Sequence, residues 1–383
     1  MLPLFLAVLA NVIGLGVLLP LLPFYAGAEG ATPQQIAWLF AVFPLAQFAT
    51  APFWGRLSDR VGRKPMIALS FAGTAASYAW LAHADSLAAM FAARILAGLM
   101  NGWLATSQAY VADVTTPEGR AKGMGVIGAA FGVGFVIGPA LGGYLVGDAT
   151  PDFRLPILIS AGASGLACAV ALIGLREPAR HRDPAEESVS FRRLFSAAPV
   201  LAVLFLLYFS VFFVFSGMET TFALFCDKVL GMGPRQVGYY LSFAGICAAV
   251  VQGWLVGRMA GWIGEARTVV LAIAVLAAGL ALLPTASEPP MLLPAIALLA
   301  TGFGLANPSL LSQTSRAAPS ALRGGTLGLG QSVSSLARIL GPAWGGFAFA
   351  QIGPAWPFLS GAMLLVPVLL VALVLARRFS RPA

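Results

Sequence analysis

Apolar residues in this chain run in long blocks, without the strict alternation of a half-buried strand or the single apolar stripe of a surface helix. Broken at charges, prolines and turn residues, the blocks fall near 2–24, 36–57, 65–83, 87–112, 121–147, 153–175, 199–226, 234–257, 267–286, 290–313, 323–348 and 354–376. About 20 apolar residues in a helix cross a hydrocarbon core of about 30 Å. Twelve such blocks predict an all-α polytopic membrane protein. The first is expected to be a span, not a removable leader. It has no basic start, runs into Pro20 and Pro23 without a small-residue cleavage pattern, and is followed by eleven similar blocks. Only a Pro/Glu-containing turn around Glu288 separates the ninth and tenth.

Composition agrees. Hydrophobic residues make up 59% of the 383 and charged residues 10%, against roughly 25% charged in soluble domains, so water-soluble domains would lack a wetted surface. Cys168, Cys226 and Cys247 sit in apolar runs without metal-ligand spacing, which argues against a zinc site or a disulfide framework. The formal charge of +8 is spread over short loops, so it points away from nucleic acid and towards the anionic inner leaflet of the bilayer. With both termini cytoplasmic, 18 of the 23 basic residues fall on that side and only Arg154, Lys228 and Arg235 on the other, with Arg94 and Arg338 inside spans. Positive loops stay inside, and an error of one span would scramble the asymmetry.

The longest polar interval, 176–198, contains His181-Arg182-Asp183-Pro184-Ala185-Glu186-Glu187-Ser188 and divides the spans six and six. It predicts an N-terminal bundle over 1–175, a cytoplasmic linker over 176–198 and a C-terminal bundle over 199–383. The halves echo each other. Gly55-Arg56-Leu57-Ser58-Asp59-Arg60-Val61-Gly62-Arg63-Lys64 follows the second span, and Gly253 to Arg258 with Gly264-Glu265-Ala266-Arg267 follows the eighth. Gly138-Pro139 with Gly142-Gly143 is matched by Gly341-Pro342 with Gly345-Gly346. A six-span repeat is a transporter signature, because two bundles rocking about a central site expose it to each side in turn.

The 55–64 segment resembles the signature loop of the major facilitator superfamily, and Gly138-Pro139 with Gly142-Gly143 resembles the motif of its proton-coupled drug exporters. The run from Asn11 through Pro20 and Pro23, Ala51 to Gly55, Arg94 to Gly98, and Ala112-Asp113 are similar to the twelve-span tetracycline exporter branch. The resemblance implies the major facilitator fold, two pseudo-symmetric six-helix bundles, no enzymatic activity and no cofactor. It also implies a bacterial inner-membrane location, and exchange of a hydrophobic or cationic small molecule for protons.

Read as chemistry, Gly55 and Gly62 permit close backbone approach. Asp59 is the lone acid among Arg56, Arg60, Arg63 and Lys64, placed to accept bonds from a helix N-terminus and from Arg120. The segment is either a solvated basic loop that sets topology or a latch between bundles. The resemblance implies the latch, made of Gly55, Asp59, Arg60, Gly62, Arg63, Arg120 and Asp113, with Asp59 reaching the start of span eleven near Arg323. In span five Gly125, Gly128, Gly132, Gly134, Gly138 and Gly142 recur, mostly close to one turn apart, with Gly143 completing the Gly-Pro motif around Pro139, which predicts tight helix contact and a bend; the resemblance associates that bend with exchangers.

Charged groups at membrane depth face partners or water. Arg94, Glu219 and Arg338 are the ones placed there. Glu219 is the deep acid, read as the proton-coupling or cation-recognition group, or as a structural partner of Arg338 or Arg94. Arg94 resembles an arginine that the superfamily links to proton exchange, with a structural bond to backbone carbonyls as the other reading. Asn11, Gln47, Asn101, Gln108, Asn307 and Gln331 line the substrate cavity or bond helix to helix. Phe215, among Phe209, Phe212, Phe213 and Phe222, adds an aromatic wall suited to an apolar cation. The tetracycline branch carries an aspartate where this chain has Asn11, another where it has Ser77, and a histidine in span eight where 234–257 has none. These departures argue against tetracycline itself. Uptake, or facilitated or sodium-coupled transport of a metabolite or endogenous amphiphile, is the alternative. One chain holds both bundles, so a monomer suffices.

Overall fold

The computed structural model describes residues 1–116, 119–147, 151–178, 199–319 and 322–379. The linker expected over 176–198 lies outside the described residues beyond position 178. The described chain is helical throughout: α1 (Leu2–Ala28), α2 (Pro33–Val61), α3 (Arg63–Leu81), α4 (Leu87–Val114), α5 (Arg120–Val146), α6 (Arg154–Gly174), α7 (Val200–Leu230), α8 (Pro234–Ile263), α9 (Glu265–Thr285), α10 (Pro289–Ala317), α11 (Arg323–Gln351) and α12 (Trp356–Phe379). Ten of them are long and apolar enough to cross a membrane; α3 and α11 are the two outside that set.

Among the described residues two helices, α4 and α8, change path partway along their length. In α4 the turns Leu87–Leu99 and Trp103–Val114 are separated by Met100 to Gly102. Ser70 of α3 occupies the gap. Its hydroxyl oxygen accepts from the N–H groups of Gly102 (3.1 Å) and Trp103 (3.0 Å), and the hydroxyl donates to the Met100 carbonyl. One serine thus satisfies backbone groups that the helix leaves open. Asn101, expected within a continuous span, sits in this break. In α8, Val251–Leu255 forms a π turn, an insertion that changes which residues share a face.

Two of the turns are made by single residues. Gly62 (φ 120°) alone separates α2 from α3, and Gly264 (φ 84°) alone separates α8 from α9. Both adopt the positive φ that glycine tolerates. As a result residues 55–61, expected as a loop, are the last two turns of α2.

The chain gathers into two units. The first holds α1 to α6 with Met232–Gly245, the opening half of α8; the second holds the segment ending at Gly231 and everything from Ile246. Within the first, α1 packs on α5 and α6, and α3 on α6; within the second, α7 packs on α11 and α12, and α9 on α12. Helix n of one repeat therefore matches helix n+6 of the other.

Glycine makes the closest of these contacts. A methyl group placed on Gly138 would lie 2.7 Å from the Gly16 Cα and from the Ile13 carbonyl oxygen. In the second unit, one on Gly217 would lie 2.9 Å from the Gly341 carbonyl oxygen. The Gly-Pro repeat read in the sequence is a repeated helix crossing. α5 carries glycines on two faces: Gly134, Gly138 and Gly142 meet Val12 to Val17 of α1, while Gly143 meets Pro234 and Arg235 and Gly238 closes on Pro139 and Gly143. Gly125 and Gly128, expected to share this duty, have open space beside them. Pro139 lies inside α5, which runs unbroken from Arg120 to Val146.

Candidate functional site

In the first unit the polar cluster forms where α2 ends. Continuing α2 to Val61 places Asp59 one turn before Arg63, and the two pair at 2.6 Å. Arg63 also donates from Nε to Asp113 Oδ2 at the end of α4 (2.8 Å) and from Nη1 to the Ser58 hydroxyl (2.7 Å). Its guanidinium therefore ties together α2, α3 and α4, with planar donors suited to several acceptors at once. Arg63 is 19% exposed and Asp59 63%, so the Asp113 arm is the better shielded of the two.

The helix N-terminus expected to be held by Asp59 is held by another residue. Glu177, just beyond α6, accepts from the N–H groups of Arg63 (2.6 Å) and Lys64 (2.9 Å). A carboxylate at a helix start satisfies open donors and faces the positive end of the helix dipole. Gly62 makes room for it, because a methyl group there would lie 2.6 Å from Glu177 Oε1. Gly55 has open space around it and needs no close approach. Arg120 reaches the Ala112 carbonyl (3.4 Å) and not Asp59; Arg60 is exposed. Glu177 was missed in the sequence because it reads as the start of a polar linker. The Gly62 that admits it was the available signal.

Arg94 is buried in α4. Its Nε donates to the Leu39 carbonyl of α2 (3.2 Å) and its guanidinium lies over the Phe43 ring, 4.7 Å from the centroid. Asn11 is buried too, and accepts from the Ser164 hydroxyl of α6 at 3.1 Å, an interhelical bond. Gln47 is half-buried and Gln108 exposed.

In the second unit, residues 208, 212, 215 and 219 recur at helical spacing on one side of α7. The Tyr208 hydroxyl donates to Asn307 Oδ1 of α10 at 3.1 Å. Phe303, one turn before Asn307, stacks on Phe215 with centroids 3.7 Å apart and meets Phe212 edge-on at 5.1 Å. Glu219 continues this row, half-buried. The α7–α11 crossing brings Arg338 close to it: Ser216 donates to the Ala337 carbonyl (3.3 Å), and Gly217 lies against Gly341. Arg338, next to Ala337 at this crossing, is exposed. The structure therefore groups Phe215, Glu219, Asn307 and Arg338 with Tyr208 and Phe303, two residues not singled out in the sequence. Gln331 is exposed on α11; its carbonyl accepts from Ser334 and Ser335. Among the described residues no cluster of histidine, cysteine or acidic side chains could hold a metal ion.

The chain is 29% identical over 375 residues to Multidrug resistance protein 2 of Bacillus subtilis (strain 168), covering 94% of this chain and 92% of that one. It is 29% identical over 361 residues to the class B tetracycline resistance protein of Escherichia coli, covering 91% and 88%. Among solved structures it is similar to the human organic anion transporter MFSD10 (TETRAN), with a TM-score of 0.72, 26% identity, and coverage of 97% and 98%. The Major Facilitator Superfamily model matches residues 4–342. With that match spanning most of the chain, and with the all-helical repeat and glycine crossings in place, this multi-pass membrane transporter of small molecules belongs to the Major Facilitator Superfamily.

Proposed function

We propose that the protein exports a hydrophobic or cationic small molecule in exchange for protons, by alternating access, as a monomer of two six-span bundles (1–175 and 199–383) joined by a cytoplasmic linker, with both termini in the cytoplasm of a bacterial inner membrane. The observation that carries the reading is Glu219. It extends the aromatic row of α7 and is the acidic residue set deep within a long apolar helix, α7, whereas Asp59, Asp113 and Glu265 stand at helix ends. Carboxylates in such settings serve proton and ion pathways. The resemblance to multidrug and tetracycline resistance proteins supports export of a drug-like compound.

In this mechanism Glu219 is ionised when substrate enters from the inner side, and the aromatic row formed by Phe212, Phe215 and Phe303 offers it apolar contact. A proton arriving from the outer side neutralises the carboxylate and releases a cationic substrate. Arg94 and the Arg63–Asp59–Asp113–Glu177 cluster are assigned to the conformational cycle. No cofactor is needed beyond the proton gradient. Reconstituted vesicles test this: an outward flux of ethidium or tetraphenylphosphonium driven by an imposed pH gradient is expected in the wild type and lost in Glu219→Gln. Pump-like transport that needs sodium, or that survives Glu219→Gln with full proton coupling, refutes it.

A further inference from the structure

The internal repeat places two matching junctions in the chain, and they differ in which basic side chain meets an acid. At the first, between α2 and α3, the basic side chain Arg63 reaches Asp59, Asp113 and Ser58, and the start of α3 is held by Glu177. At the second, between α8 and α9, α8 contains no aspartate or glutamate in any register. Counted back from the junction glycines, the position of Asp59, three before Gly62, is taken by Gly261, three before Gly264.

Two tryptophans stand there as well. Trp254, Arg258 and Trp262 are four residues apart and share a face. The Arg258 guanidinium lies over the Trp254 ring, 4.2 Å from its centroid. Trp254 is 55% exposed and Trp262 70%, and Val256–Ile263 has no buried residue at all. Trp254 stands within the π turn at Val251–Leu255, so the face begins where α8 changes register. Among the described residues no carboxylate pairs with Arg258. Glu265, the nearest acid in sequence, is taken by Arg316 (3.4 Å) and Ser312 (2.9 Å) of α10. Exposed Arg267 adds a further positive charge.

An arginine braced on one indole and flanked by another, at the end of a membrane-spanning helix, matches a phospholipid. Tryptophan rings settle at the level of the headgroups, and a guanidinium offers paired donors to a phosphate. We infer that Trp254, Arg258 and Trp262 form a binding site for the headgroup of an anionic phospholipid, in the leaflet that the basic-residue count assigns to the cytoplasm. The site is independent of the export reading. Glu265 answers Arg316 at this junction, and the acid for Arg258 is supplied by the lipid phosphate.

The test uses the full-length protein purified in detergent, with native mass spectrometry of bound phosphatidylglycerol and phosphatidylcholine. The wild type is expected to retain one phosphatidylglycerol in preference to phosphatidylcholine. Arg258→Gln should weaken that binding roughly fivefold, the effect of one basic residue at an anionic surface, and Arg258→Lys less. Arg377→Gln, at the end of α12, should leave it unchanged. Equal losses in Arg258→Gln and Arg377→Gln overturn the site, since they would report bulk charge alone. Displacement of the lipid by millimolar inorganic phosphate also overturns it, because the site would then take a free anion. A second readout leaves Arg258 in place: brominated phosphatidylglycerol should quench a tryptophan component that is absent in the Trp254→Phe, Trp262→Phe variant. Equal quenching by brominated phosphatidylcholine contradicts the inference.

Discussion

Gly138→Ala and Gly128→Ala add the same methyl group to the same helix, and the structure gives them opposite signs. At Gly138 the new carbon would lie 2.7 Å from the Gly16 Cα and from the Ile13 carbonyl oxygen, about 0.7 Å short of the 3.4 Å at which ordinary contact begins. Both obstacles are backbone of α1, so no side chain can rotate away and the two helices must separate. Overpacking of this kind costs about 1–3 kcal/mol. Alanine returns about 0.5–1 kcal/mol of helix propensity over glycine, so mid-range values leave a net loss of roughly 1 kcal/mol, within bounds of about 0 to 2.5 kcal/mol. Gly128 has nothing within 4 Å, so only the propensity term acts and the variant should gain about 0.5–1 kcal/mol. Thermal unfolding of the purified protein, with several detergents to control for micelle effects, should place Gly138→Ala below and Gly128→Ala above the wild type. Two variants destabilised to the same degree would mean that the α1–α5 contact does not set the glycine requirement.

Four further outcomes follow from the same contacts. Glu177→Ala removes the acceptor for two N–H groups of α3, worth about 1 kcal/mol at a helix start, so amide exchange at Arg63 and Lys64 should quicken about fivefold; unchanged exchange would show that water replaces the carboxylate without cost. Asp113→Asn should shift the inward/outward balance, read by accessibility labelling, more than Asp59→Asn, because the Asp113 carboxylate is the less exposed partner of Arg63. Ser164→Ala should cost about 1 kcal/mol by leaving Asn11 with a buried unpaired acceptor, checked by unfolding. Arg94→Lys loses the stacking on Phe43 as well as a donor to Leu39, and should lower both stability and transport; full transport would assign Arg94 no part in the cycle.

How much of this was legible in the sequence depends on the kind of signal. The twelve helices were, ten of them long and apolar enough to cross a membrane, because twenty-residue apolar blocks need no tertiary information. The repeat was too, and the Gly16–Gly138 and Gly217–Gly341 crossings explain why glycine recurs in it. Direction around a helix was not. Gly125 and Gly128 share the spacing of Gly138 yet face open space, and Asn11, read as a cavity group or an interhelical one, turns to Ser164. Apolarity on all sides of a membrane helix erases the amphipathic stripe that would have told these faces apart. The break in α4 was hidden because Ser70, the group that stabilises it, lies thirty residues away. Glu177 escaped for a related reason: a carboxylate that caps a helix from 113 and 114 positions distant carries no local pattern.

The central claim is that substrate and proton compete through Glu219. Adding tetraphenylphosphonium to the purified protein in weakly buffered detergent near neutral pH measures this without vesicles or a gradient. The wild type should release protons in proportion to the substrate bound, and Glu219→Gln should bind without release. Binding with no proton release in the wild type, or undiminished release from Glu219→Gln, would contradict the account.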